Sequence, residues 1–258
     1  GLTPTLTLDN TSGSKQTISL AGMTDSSSGA GSGVSLIAKS AGGGIATSAA
    51  ISLKGSLTLD NTYAVAGSAS GFITYANAAT YSGGQVQMGG GGITAASVMM
   101  TGTGYNTNGV WVNNAAGVTA TNGSVTITGI SNSTVGSSGV VIGGVTQTTG
   151  ASGDVNITGV SQSANGVVVQ SANVISNNGS ITIAASTIST GAGTASTHAL
   201  YVSNATNFIS AKQNITLVGY GSTTTQQGVY TGGPILAGGD ITIGARGASG
   251  GLWIGNPG

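Results

Sequence analysis

The sequence predicts an all-β chain wound as a right-handed parallel β-helix, a β-solenoid with three short strands per coil and about eight coils. Three observations carry this. A short strand motif recurs along the chain at a wandering period. Glycine is abundant while bulky side chains are scarce. No segment has the composition or the periodicity of a helix. Glycine fills 48 of the 258 positions, and aromatic and charged residues make up only 4% each. So few large side chains cannot fill a wide interior at native packing density, but they suffice for a narrow one.

The recurrence is clearest from residue 109. A first strand reads GVWV (109–112), GVVI (139–142), GVVV (166–169), ALYV (199–202), GVYT (228–231) and LWI (252–254). A second reads GVTAT (117–121), GVTQT (144–148), NVISN (173–177), NFISA (207–211) and PILAG (234–238). A third reads SVTITG (124–129), DVNITG (154–159), SITIAA (180–185), NITLVG (214–219) and DITIGA (240–245). Upstream, GVSL (33–36) and FITY (72–75) read as first strands and GIAT (44–47) and QVQM (85–88) as second strands. TISL (17–20), SLTL (56–59) and SVMM (97–100) read as third strands.

First strands thus begin near Val34, Phe72, Val110, Val140, Val167, Leu200, Val229 and Leu252, at spacings of 38, 38, 30, 27, 33, 29 and 23 residues. A period that varies while the strands persist puts the insertions in turns on a constant rung, which is solenoid behaviour. The expected organisation is one domain over 1–258. Residues 1–108 form irregular coils with long loops, and 109–258 form regular coils of about 30 residues. Alternation points Val125, Ile127, Val155 and Ile157 inward and Thr126 and Asn156 outward. The hand follows the rule for parallel crossovers.

Charge narrows the function. The chain holds five acidic and five basic residues at net zero, a single histidine (His198) and no cysteine. That excludes helical bundles, which need charged residues in quantity, and nucleic-acid binding through a basic patch. It also excludes a disulfide framework and cysteine-based metal sites. No cofactor and no metal are expected. No run of about 18 apolar residues offers a membrane span. The composition suits an extracellular or bacterial cell-surface protein, and the start at Gly1 without methionine reads as a mature product or an excerpt.

The five carboxylates are Asp9, Asp25, Asp60, Asp154 and Asp240. Asp154 and Asp240 share a repeat position with Ser124, Ser180 and Asn214, just before the third strand. Asp, Asn and Ser all offer there a side-chain oxygen to nearby backbone N–H groups. Asp154 and Asp240 lie three coils apart, roughly 14 Å, too far for paired catalysis. Asp9 and Asp60 fall in LTLDNT, just past a strand. The chain is therefore expected not to be an enzyme and to have no catalytic residue. His198 takes a loop-edge position. Thr58, Thr126, Thr182, Thr216 and Thr242 stack outside the third sheet. An ice-binding plate needs paired threonines, which only Thr126/Thr128 supplies, so ice binding is a minor alternative.

Two surfaces stand out. With Val110 and Val112 inward, the first strands present Trp111, Val141, Val168, Tyr201, Tyr230 and Trp253 outward, and Ile73 with them. A contiguous apolar face marks an interface or a ligand groove, or is covered by another part of the chain. Aromatic faces suit a sugar ring or a neighbouring rod. The second surface is the pair of ends. Leu6 and Leu8 at the start and Leu252 and Ile254 at the end belong to coils without an evident cap. An uncapped solenoid templates further pairing, so end-to-end docking through these four residues is expected.

The phrases TNGSVTITG (121–129), NNGSITIAAS (177–186) and GGDITIGA (238–245) resemble the haemagglutinin-type repeats of filamentous haemagglutinin and related large bacterial exoproteins. The resemblance covers 109–258 well and 1–108 loosely. It implies a right-handed β-helical shaft, secreted through a partner outer-membrane pore and serving adhesion, biofilm formation or toxin delivery. The expected function is an extracellular structural or adhesive β-solenoid: a shaft or fibre-forming segment that self-associates head-to-tail or laterally, with a glycan or host-surface receptor as its other partner class. The alternative is a carbohydrate-binding or polysaccharide-cleaving β-helix.

Overall fold

The structure is a computed structural model that describes residues 4–11, 17–28, 33–40, 44–61, 72–73, 81–82, 86–113, 117–133, 136–188, 197–203, 206–222 and 227–255. Three parallel sheets wind about one axis as a right-handed β-helix. Sheet 1 stacks Ile18–Leu20, Ile45–Thr47, Val86–Met88, Val110–Val112, Val140–Ile142, Val167–Val169, His198–Val202, Gln227–Thr231 and Gly250–Ile254. Sheet 2 stacks Met23–Thr24, Ile51–Ser52, Ile93–Ala95, Val118–Ala120, Thr146–Thr148, Val174–Ser176, Ile209–Ala211 and Ile235–Ala237. Sheet 3 stacks Thr5–Asn10, Ser35–Ser40, Leu57–Asn61, Val98–Gly104, Val125–Ser131, Val155–Ser161, Ile181–Thr187, Ile215–Gly221 and Ile241–Arg246. Each coil runs from sheet 3 to sheet 1 to sheet 2. Nine strands in sheets 1 and 3 and eight in sheet 2 make eight coils and part of a ninth, an axial rise of about 40 Å.

Strict register builds the core. Leu57, Val98, Val125, Val155, Ile181 and Ile215 pair one above the other, and each is buried. Leu59, Met100, Ile127, Ile157, Ile183 and Leu217 form the parallel interior column two residues on. Each buried Ile or Leu contributes roughly 1.5–3 kcal/mol of transfer free energy. Rung joins rung through a repeated bond: the first interior residue of a sheet 3 strand donates its N–H to a carbonyl one coil up. Examples are Val98 to Ser124 at 3.0 Å, Val155 to Ser180 at 3.0 Å and Ile215 to Asp240 at 2.9 Å.

Where sheet 3 hands over to sheet 1, the backbones nearly touch. A Cβ on Gly159 would fall on the carbonyl oxygen of Gly166 and on the Val167 side chain. Gly129 meets Gly139 and Gly219 meets Gly228 in the same way. In the coil between them Ala185 and Ala199 take the two places, both buried, and its sheet 1 strand starts early, at His198. In the first coils the column holds Ser40 and Asn61, whose buried side-chain polar atoms have no hydrogen-bond partner among the described residues.

The regular half matches the sequence reading; the upstream half needs correction. GVSL (33–36) lies in sheet 3, because Leu36 pairs with Leu57 and Leu6. GIAT (44–47) and QVQM (85–88) are sheet 1 strands, not second strands, since Ile45, Val86 and Val110 stack in one column. TISL (17–20) also belongs to sheet 1, with Ile18 on Ile45. Ile73 is not on sheet 1: Phe72–Ile73 pairs antiparallel with Tyr81–Ser82 in a separate two-stranded sheet, in the connection between Leu57–Asn61 of sheet 3 and Val86–Met88 of sheet 1. Asp9 and Asp60 sit within strands rather than past them. In GVTQT (144–148), Thr146 takes the interior position opposite Val118, and Val145 turns outward, 38% exposed. The hydroxyl of Thr146 reaches the Gly144 carbonyl at 3.5 Å, and that of Thr148 reaches the Gly153 carbonyl at 2.9 Å, so threonine is tolerated inside. Among the described residues no helix is long and apolar enough to cross a membrane.

The handover between sheets gives a contrast. Gly159→Ala should destabilise the chain by about 1–3 kcal/mol in urea unfolding, as overpacking does. Gly244→Ala, whose Cβ would find only ordinary contacts with Val218, should stay within about 0.5 kcal/mol.

Candidate functional site

The outward column of sheet 1 runs Ala46, Gln87, Trp111, Val141, Val168, Tyr201, Tyr230, Trp253 in register. Much of it is shielded from solvent. Ala46, Gln87, Val141 and Val168 are buried, and Trp111, Tyr201, Tyr230 and Trp253 are half-buried. The valines lie between Trp111 and Tyr201, and large rings one strand spacing away shade a small side chain. The upper rings stack on one another. Tyr230 and Trp253 lie 4.3 Å apart with planes 6° from parallel, and Tyr201 and Tyr230 are 5.1 Å apart. Gly255 packs against the far end of the Trp253 indole. Faces engaged this way cannot also lie flat on a sugar ring; what remains is edges.

His198 completes the stack, and the sequence reading missed this. It is the first residue of the strand His198–Val202, at the loop edge expected, with its ring 5.2 Å from Tyr201 and 4.9 Å from Tyr230, about 20° from parallel to both. Its N–H donates to Asn165 Oδ1 at 2.6 Å. Its Nδ1 is buried without a partner among the described residues, and desolvation lowers its pKa from the ordinary 6.5. The aromatic-rich strands ALYV and GVYT were the available pointer, with His198 just outside the motif.

The carboxylates hold backbone, as the repeat position implies. The N–H of Ser180 donates to Asp154 Oδ1 at 2.8 Å, and the N–H of Asp154 donates to Ser124 Oγ at 3.1 Å. Two coils up, the N–H of Asp240 donates to Asn214 Oδ1 at 2.8 Å. The bonds run between coils, making a polar ladder along the corner before sheet 3. Asp25 ties the first coil to the second by accepting from the N–H groups of Val34 at 2.7 Å and Lys54 at 3.3 Å. It also accepts from Ser27 N–H at 2.9 Å. These bonds hold its carboxyl well below the usual range. Asp9 accepts from the Thr11 hydroxyl and N–H, which lowers its pKa too, and it pairs in register with Lys39, itself opposite Asp60. The outer threonine column is broken by Met99, 43% exposed, between Thr58 and Thr126.

Both ends present core positions to solvent. Leu6 and Leu8 stack on buried Leu36 and Ala38, yet Leu6 is 42% exposed and Leu8 half-buried. Leu252 and Ile254 stack on buried Val229 and Thr231 and are 47% and 62% exposed. Ile241, opposite buried Ile215, is exposed as well. One further feature escaped the sequence reading. Ser186–Ile188, Tyr220–Ser222 and Arg246–Ala248, at the trailing ends of three successive sheet 3 rungs, line an open groove of about 640 Å³. Ser186, Tyr220 and Arg246 are register partners. These residues lie beyond the repeat motif, where Ser186, Tyr220 and Arg246 differ in type from coil to coil. In comparison with known proteins, the chain matches no family model, no curated protein and no solved structure.

His198 sets a pH dependence. The unfolded chain takes up a proton near pH 6.5 while the folded chain resists it. Stability is therefore full above 6.5 and falls as the pH drops below it, until the folded imidazole also protonates. The lowered Asp9 and Asp25 act in a separate window, below their ordinary 3.8. Melting temperatures from pH 8 to 5 should decline on the acid side, and His198→Phe, which keeps a stacking ring, should flatten that decline.

Proposed function

We propose that this chain is a shaft segment of an extracellular structural or adhesive protein of a bacterial surface, of the filamentous haemagglutinin type, whose coils stack end to end. The carrying observation is the pair of open ends in one phase. The interior columns of sheets 1 and 3 run unbroken to Leu252, Ile254, Ile241 and Ile243 at one end and to Leu6, Leu8 and Ile18 at the other. Apolar edge strands template pairing with another strand. A contact between unlike ends does not close on itself and so builds a filament.

The polar corner ladder favours the same stacking. From Ser124 to Asn214 each rung offers a side-chain acceptor to the N–H of the rung above, Asp240 holds the next such position, and Thr5 holds it on the first rung. With the Thr5 N–H of the next coil on the Asp240 carboxylate, Leu6 lies over Ile241 and Leu8 over Ile243. Ile18 then lies over Leu252. Sheets 1 and 3 continue across the junction, and one strand position of sheet 2 stays open above Ile235–Ala237. The next coil belongs either to the same polypeptide or to another copy. A non-enzymatic role is supported by the carboxylates of Asp9, Asp25 and Asp154, whose oxygens are committed to hydrogen bonds along the backbone.

Light scattering and electron micrographs of purified 1–258 test the reading. The expected result is rods that lengthen with concentration at constant width. Asp240→Lys, which replaces the acceptor by a donor, should raise the concentration needed at least tenfold, on the scale of a lost bond to a charged group. A compact particle, or cleavage of a polysaccharide by the purified chain, would refute the shaft. A monomeric rod at every concentration would refute the stacking alone.

A further inference from the structure

We infer that the groove on sheet 3 binds the carboxylate-bearing sugar of an acidic saccharide, with Arg246 taking the carboxylate and Tyr220 the sugar face. This deepens the adhesive part of the proposed function and rests on it.

The groove differs from the rest of the rod surface in three respects. First, Tyr220 is 54% exposed, and no ring of the described residues stacks on it, whereas Tyr201, Tyr230 and Trp253 lie against one another. Tyr220 therefore keeps a face that can receive the C–H face of a pyranose. Second, Arg246 is the chain's only arginine. It is exposed and stands in register beside Tyr220, about 4.8 Å along the axis. The two acidic residues nearest it in sequence, Asp240 and Asp154, lie at the opposite, leading end of the sheet 3 strands. In a chain where charged residues are 4% of the total, this guanidinium is a local positive site with no acidic side chain of the described residues paired to it. Third, the surface is concave over three rungs, and Ile188, 51% exposed, supplies a second apolar contact beside the hydroxyl-bearing Ser186 and Ser222.

The arrangement selects its ligand. One guanidinium presents a planar fork of donors that matches a planar carboxylate in two parallel hydrogen bonds. A sulfated or phosphorylated chain is held by several cations acting together, and the groove has one. A neutral sugar would use Tyr220 and Ile188 and leave Arg246 idle. About 10 Å separates the first rung of the groove from the third, enough for one or two sugar units lying along the axis.

Binding of a uronic-acid oligosaccharide, its neutral counterpart and a sulfated oligosaccharide to purified 1–258, by calorimetry or on immobilised glycans, tests this. The uronate should bind at least tenfold more tightly than the neutral sugar. Arg246→Gln should abolish that preference while leaving residual binding of both, and Tyr220→Ala should weaken both together. Both side chains are exposed, so circular dichroism should show both variants folded. No binding of the uronate, binding indifferent to both substitutions, or a preference for the sulfated oligosaccharide would overturn the inference. None of these results touches the shaft reading, which particle shape and association decide.

Discussion

Everything in this molecule depends on in-register parallel stacking, which places each residue about 4.8 Å above its equivalent one coil below. Under that constraint a side chain is packed chiefly by its own column. An interior column must keep its volume from rung to rung, and Leu59, Met100, Ile127, Ile157, Ile183 and Leu217 do so with residues of similar size. A large change on one rung would leave a void or a clash that its neighbours repeat, since a packed interior has little slack. The same rule applies at the surface. Aromatic residues fall on successive rungs of sheet 1, so their rings stack at 4.3–5.1 Å. Ser124, Asp154, Ser180, Asn214 and Asp240 fall on successive rungs at the corner of sheet 3, so the oxygen of each of the first four meets the N–H group of the rung above.

The narrow bore follows from the turn between sheets 3 and 1, where Gly159 lies against Gly166 and Gly129 against Gly139. Two backbones that close leave no room for a side chain, and they draw the sheets together until two interior residues per short strand fill the space. This explains the composition. The chain needs little Leu, Phe or Trp because there is little interior to fill, and it places glycine at the handovers of Gly102, Gly129, Gly159 and Gly219. One coil has Ala185 and Ala199 in these places; its sheet 1 strand begins at His198, as that of the next coil begins at Gln227, and the imidazole lies on Tyr201 and Tyr230.

Legibility in the sequence tracked the strength of this register. From residue 109 the motif repeats with its corner residue, and every first, second and third strand read there lies in the sheet expected. Upstream, sheet 1 and sheet 3 strands share one pattern of two apolar residues separated by one, so GVSL and GIAT could be placed on either. The deciding clue was the corner serine. Ser35 precedes Leu36 as Ser56 precedes Leu57 and Ser97 precedes Val98, and the bonds from Ser56 N–H to Ser35 Oγ and between the Ser56 and Ser97 hydroxyls make it part of the ladder. The antiparallel pair at Phe72–Ile73 and Tyr81–Ser82 obeys no column, so periodicity cannot reveal it. The ends were legible because they are interior columns that stop. The groove was not, because Ser186, Tyr220 and Arg246 differ in chemistry from coil to coil and lie outside the repeat.

That contrast separates the groups that build the rod from those that can meet another molecule. A side chain that matches its column is engaged by it: rings by rings, carboxylates by N–H groups, valines by valines. The stacked aromatic face of sheet 1, for all its content of Tyr and Trp, thus has little left to offer beyond ring edges. Recognition falls to positions where the column is broken. One kind of break is the first and last described rung, where Leu6 and Ile254 continue interior columns yet are exposed. The other is a rung whose residue has no like neighbour, as Tyr220 has Ser186 on one side and Arg246 on the other. In a repeat protein of this kind, chemical function is therefore sought where the repeat fails, and conformity to the repeat marks the residues that hold the β-helix together.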